Sequence, residues 1–191
     1  HFDNGTLVER PKSESAHFIT AGKSDIEKFD RLVKSPVKFL VLDDKSDTWG
    51  HGISKYDSVE GEFKLESSSA MSGPVSQKIL RKFSYGKSSL EVIYSTYSGL
   101  AGVYADIKVK WNEHRKILKM EISPEGASSK TLTMQCAAGS AERNADGNEL
   151  PMHHWLWLPS ADKGMAVIQK GAIACDCLNG RLRLTLVRSS V

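Results

Sequence analysis

The feature that most constrains this chain is an alternation of apolar and polar residues with a period of two, repeated along much of its length. Leu182, Leu184 and Leu186 alternate with Arg181, Arg183 and Thr185. Ala105, Ile107, Val109 and Trp111 alternate with Asp106, Lys108 and Lys110, and Leu118, Met120 and Ile122 alternate with Lys119 and Glu121. Leu90, Val92 and Tyr94 alternate with Glu91, Ile93 and Ser95. Successive side chains of a strand point to opposite faces, so each run predicts a strand with one buried and one wet face. A slip of one residue would put the whole apolar set in water, which specifies the register.

Further strands are predicted at Val37–Leu42, Glu62–Glu66, Val75–Tyr85, Thr131–Cys136 and Met165–Gln169, with turn residues between them. Asn179-Gly180 separates Ile173–Cys177 from Arg181–Val187 and reads as a hairpin turn. Only Lys23–Val33 has helical spacing, with Ile26, Phe29 and Val33 on one side and Ser24 as a cap. A twisted strand or loop fits that stretch as well. Residues 10–24 are polar and read as a loose loop. Nine or ten strands with at most one short helix predict an all-β, antiparallel sandwich. No internal repeat, low-complexity segment or internal boundary divides residues 1–191, which read as a single domain.

Composition narrows the function classes. The 26 Lys and Arg exceed the 23 Asp and Glu by three, and the basic residues are scattered, so neither amount nor pattern points to nucleic acid. The longest apolar run, Phe39 to Leu42, is far below the ~18 residues of a membrane helix, so no membrane partner is expected. Cys136, Cys175 and Cys177 are odd in number and too few for a disulfide framework, which favours a reducing, cytoplasmic compartment. The chain opens at His1 without Met and stops on a strand-like run at Val191, which reads as a fragment of a longer polypeptide.

Three stretches carry candidate chemistry. Asp43 to Gly52 follows an apolar strand and gathers acids, Trp49, His51 and two glycines. Trp49 is suited to stack on the C–H face of a sugar ring, and Asp47 and His51 to bond its hydroxyls. The alternative is a surface loop with Trp49 packed on the sheet and Asp47 closing an Asx-turn. His153 and His154 are adjacent, so on a strand they point to opposite faces and cannot serve one metal together. They read better as part of a polar segment leading into an apolar strand at Trp155. Cys175 and Cys177 share a strand face but have no evident further ligands, and read as small buried hydrophobes. A basic strand face with Arg181 and Arg183, and Arg188 nearby, fits an anionic partner or a solvated sheet face equally well. No spacing singles out a pair of catalytic carboxylates.

The sequence resembles the C-terminal β-sandwich region of α-mannosidases of glycoside hydrolase family 38. Leu40-Val41-Leu42-Asp43-Asp44-Lys45-Ser46-Asp47-Thr48-Trp49-Gly50-His51-Gly52 is similar to the bacterial pattern LxDPSDTWGHG. Trp111-Asn112-Glu113-His114-Arg115-Lys116-Ile117-Leu118-Lys119 is similar to DWHERHKLLK. The run from Glu142-Arg143 through Glu149-Leu150-Pro151 to Trp155, followed by Gly180 to Ser189, resembles ERPxxGxExPxxRW and GxxLRLTLLRSP. These stretches occur in family order. His153-His154 stands where the family has an Arg or Lys before the Trp, and Val167 to Cys177 lacks the family's Asn-Asp pair and its tyrosines.

The resemblance implies a sandwich of the galactose-mutarotase-like super-sandwich type. It implies a retaining exo-α-mannosidase whose catalytic α/β barrel precedes this region and holds a divalent metal, usually zinc, beside an Asp nucleophile. No metal is expected on this chain and no catalytic residue, so the fragment alone is expected to be inactive. Its implied partners are that upstream domain and the α-mannoside substrate. Arg188 corresponds to a terminal-strand Arg at the edge of the substrate pocket, and Asp47, Trp49 and His51 are placed near the same edge. The alternative is a free-standing carbohydrate-binding or interaction β-domain without hydrolase activity.

Overall fold

The computed structural model describes residues 2–3, 6–7, 14–20, 37–100, 102–124, 126–160 and 164–190. Seventeen strands lie among them, and no helix. In chain order they begin with β1 (Phe2–Asp3), β2 (Thr6–Leu7), β3 (Glu14–Thr20), β4 (Lys38–Asp43), β5 (Val59–Glu62) and β6 (Lys64–Ser72). Next come β7 (Ser76–Tyr85), β8 (Ser88–Tyr97), β9 (Val103–Lys110), β10 (Lys116–Ile122), β11 (Thr131–Cys136) and β12 (Gly139–Asn144). The series ends with β13 (Leu150–Pro151), β14 (Trp155–Pro159), β15 (Gly164–Gln169), β16 (Ala174–Leu178) and β17 (Arg181–Ser189).

Two antiparallel sheets carry the fold. The smaller runs β13-β16-β17-β10-β4-β5 and the larger runs β12-β11-β14-β15-β3-β9-β8-β7-β6, while β1 and β2 pair apart. The predicted all-β antiparallel sandwich is the observed class. One apolar core fills the space between the sheets. Phe39 and Val41 of β4, Leu118 and Met120 of β10, and Leu182 and Leu184 of β17 meet Val92 and Tyr94 of β8, Ala105 and Ile107 of β9 and Leu156 of β14. These are the alternating residues of the sequence, and burying each large one contributes about 1.5–3 kcal/mol. Asn179 and Gly180 take the left-handed turn that an Asn-Gly hairpin needs, with φ of 52° and 74°.

Three expectations change. Residues 10–24 contain β3, which pairs with β15 on one side and β9 on the other. Its polar composition hid a strand that is held by partners from two distant segments. The strand count exceeds nine or ten for a related reason: β12 and β13 are short or polar and are held by pairing with β11 and β16. The wet face predicted for β10 and β17 is covered instead, since Lys119, Glu121 and Thr185 are buried. The candidate helix Lys23–Val33 lies outside the described residues.

Candidate functional site

The cover over that outer face is the loop from Asp44 to Asp57, which leaves the sheet at the end of β4. Leu40 and Leu42 of β4 point outward with Ile117 of β10, and Tyr56 closes over them as a second, small apolar cluster. The loop returns when the Asp43 N–H donates to Ser58 O at 2.9 Å, and the Asp44 N–H donates to Arg115 O at 2.8 Å.

A β-bulge brings Arg188 to this loop. Unbroken alternation would put Arg188 in phase with Leu182, Leu184 and Leu186, inside the core. The pairing of β17 with β10 shifts between Leu118 and Lys119: Lys119 lies opposite Thr185 but Leu118 opposite Val187. Leu186 is the extra residue, and beyond it Arg188 lies opposite Ile117 on the outer face.

There Arg188 fastens the first part of the loop. Nε donates to Asp44 Oδ2 at 2.7 Å, Nη2 to Ser46 Oγ at 2.7 Å and to Asp47 O at 2.6 Å, and Nη1 to Thr48 O at 3.0 Å. Four of its five N–H groups are thereby committed. Asp44 is fully buried and also accepts the Ser46 N–H and hydroxyl. The planar fork of a guanidinium reaches these four acceptors together, which an ammonium does not.

Asp47 closes the tip. Its Oδ1 accepts the N–H groups of Trp49 at 3.0 Å and His51 at 3.1 Å, and its Oδ2 meets His51 Nδ1 at 3.0 Å. The His51 N–H, then the His51 ring, hold the Asp47 carboxyl below the ordinary carboxylate range. Gly50 and Gly52 supply the left-handed residues, with φ of 70° and 73°. The Asx-turn reading of Asp47 is therefore present, but Trp49 is not packed on the sheet. Its indole is 82% exposed at the tip of a loop bonded on its underside.

The structure thus gathers Asp47, Trp49, His51 and Arg188 at one place, with different tasks. Arg188 and Asp47 shape the loop, and Trp49 and His51 face solvent.

Sequence reasoning missed the polar cluster beneath the loop's second half. Lys119 is completely buried; its ammonium donates to Asp176 Oδ2 at 2.5 Å and to Glu149. Arg183 Nε donates to Asp176 Oδ1 at 2.7 Å, and the Thr185 hydroxyl donates to Glu149. The register placing Lys119 beside Thr185, and Arg183 beside Asp176, was latent in the strand pattern. What covers that face was not.

Other singled-out motifs are structural. Glu113 accepts the Lys87 N–H at 3.3 Å and the Ser88 hydroxyl at 2.9 Å, while Trp111 Nε1 donates to Ser189 Oγ at 3.1 Å. The stretch Trp111–Arg115 thus ties the crossing from β9 to β10 onto the β7–β8 turn and the end of β17. Cys175 and Cys177 face the core, and burial pushes their thiols up to about 12 and about 11. Such thiols stay protonated at neutral pH, as small buried hydrophobes do. Among the described residues no three His, Cys, Asp or Glu side chains gather as a metal site.

The chain is an antiparallel β-sandwich domain that presents a braced loop on the outer face of its smaller sheet. Residues 27–191 match the family described as glycosyl hydrolases family 38 C-terminal domain, and the chain belongs to that family. Comparison with curated proteins gives no match. No helix among the described residues is long and apolar enough to cross a membrane.

Proposed function

We propose that this domain is the non-catalytic C-terminal sandwich of a retaining exo-α-mannosidase, that it packs on an upstream catalytic barrel, and that the Asp44–Asp57 loop completes an edge of the substrate pocket. The observation that carries this reading is Trp49: a large indole held in water by a loop whose backbone is bonded to Arg188 and Asp47. Exposing an indole forgoes its burial, about 1.5–3 kcal/mol for a large apolar side chain, and a rigid loop holding it out is the arrangement a binding surface uses. The apolar ring stacks on the C–H face of a pyranose. His51 and Asp47 offer polar atoms beside it, and among the described residues Arg188 keeps one uncommitted N–H.

Cleavage with retention needs an acid/base and a nucleophile about 5–5.5 Å apart. Neither is assigned to this chain, so both belong to the proposed barrel, as does the divalent metal. The chain's own part is to orient a sugar, and the reaction needs the other domain.

The test is hydrolysis of an activated aryl α-mannoside, with zinc added, by this chain alone and by a chain that includes the upstream domain. Turnover only in the longer protein is the expected result. Turnover by the 191-residue chain would place the catalytic centre within it and overturn the proposal.

A further inference from the structure

We infer that the buried Lys119–Glu149–Asp176 cluster is a second fastening of the Trp49 loop, and that Lys119 and Glu149 are positioning residues for Trp49; this rests on the pocket-edge reading above. Arg188 holds only residues 44 to 48 of the loop. The second half is held from elsewhere. Ser54 O accepts the Glu149 N–H at 2.8 Å, and Lys55 Nζ donates to Asp146 O at 2.9 Å. The Tyr56 ring lies over the Lys119 ammonium, 5.6 Å from its centroid.

The segment 146–149 that receives the loop is itself irregular, tied to the sheet by an isolated bridge from Asp146 to Leu178. Its end is set by Glu149, whose carboxylate is held by Lys119 and Thr185. Lys119 in turn is fixed by Asp176, which Arg183 holds from its other oxygen. A continuous path of hydrogen bonds therefore runs from β16, β17 and β10 through Glu149 to Ser54. The stretch from Trp49 to Ile53, with Gly50 and Gly52, spans the gap between the two fastenings.

Apolar residues in place of a buried ion cluster often bury as well or better, so stability alone does not account for charges here. What the cluster adds is direction: only one arrangement satisfies both carboxylates, the ammonium and the hydroxyl together. With both fastenings closed the backbone that carries Trp49 is anchored on either side. With the second open the loop swings about Arg188.

Glu149→Gln tests this, because it keeps the size and the backbone N–H but removes the charge that Lys119 faces. In the intact chain, hydrogen exchange of the loop-closing amides, Glu149 N–H on Ser54 O and Ile53 N–H on Gly50 O, is expected to quicken about tenfold while those of β10 and β17 hold their rates, the signature of local opening. In the enzyme that includes the catalytic domain, KM for an aryl α-mannoside is expected to rise about tenfold with kcat nearly unchanged, as for lost uniform binding. Unchanged loop exchange, or loop and sheet amides quickening together, would overturn the inference. Trp49→Ala run in parallel separates the two readings. If Trp49→Ala weakens substrate use and Glu149→Gln does not, the positioning role is overturned. If Glu149→Gln loosens the loop but neither variant alters kinetics, the fastening stands and the pocket-edge reading fails, taking the positioning role with it.

Discussion

In β4, β10 and β17, the central strands of the smaller sheet, both faces are largely buried, by opposite means. On the inner face Met120, Leu182 and Leu184 meet the larger sheet through apolar contact alone. On the outer face, one residue along each strand, Arg188 holds the Asp44–Asp57 loop directly, while Lys119, Arg183 and Thr185 pair with Glu149 and Asp176. The inner face asks only for volume and apolarity, which many sequences satisfy. The outer face asks for particular partners at particular atoms. The difference teaches where specificity resides: the core sets which way the strands face, and the polar face sets where the loop with Trp49 stands.

One incoming residue exposes the contrast most strongly. Leu184→Met on the inner face conserves volume and is expected to cost less than about 1.5 kcal/mol. Lys119→Met on the outer face leaves the Glu149 and Asp176 carboxylates short of a cation and is expected to cost about 3–5 kcal/mol. Denaturant unfolding of both variants measures this directly. Equal costs would mean that the outer cluster is ordinary packing.

Arg188→Lys sharpens the comparison at smaller scale. The charge beside Asp44 is kept, but a single ammonium cannot meet four acceptors from one position. A loss of about 1.5–3 kcal/mol is expected, the range of one hydrogen bond to a charged group. Exchange of the amides near Thr48 should quicken while β17 stays protected. A loss spread evenly over both sheets would assign Arg188 to the general fold and not to the loop.

How much of this the sequence disclosed follows from the same contrast. Leu118, Met120, Leu182 and Leu184 announced the inner face, because apolar alternation is a local pattern and needs no knowledge of partners. The outer face depends on contacts between residues far apart in the chain, such as Lys119 with Asp176 or Arg188 with Asp44. Alternation read Lys119 and Glu121 as wet, since nothing local says that a loop from another strand lies over them. Arg188 is the sharpest case. Strict alternation sends it into the core, the bulge at Leu186 sends it out, and only resemblance to the family tied it to the loop edge. The stretch Asp43–Gly52 was legible as a loop with an Asx-turn, because Asp47 bonds its own neighbours. The exposure of Trp49 was not legible, because packing on the sheet was the commoner use of an indole. β3 was missed for want of any local signal, being held by β9 and β15.

The most direct test of the central claim is the kinetics of Trp49→Ala in the enzyme that carries the catalytic domain, assayed on an aryl α-mannoside. Because Trp49 is exposed and leaves no cavity, the fold should be unaffected, with unfolding within about 0.5 kcal/mol of the parent. Loss of one stacking contact should lower kcat/KM by about tenfold, chiefly through KM, which corresponds to about 1.4 kcal/mol of binding. An unchanged kcat/KM with an intact fold would contradict the account and remove the loop from the substrate pocket.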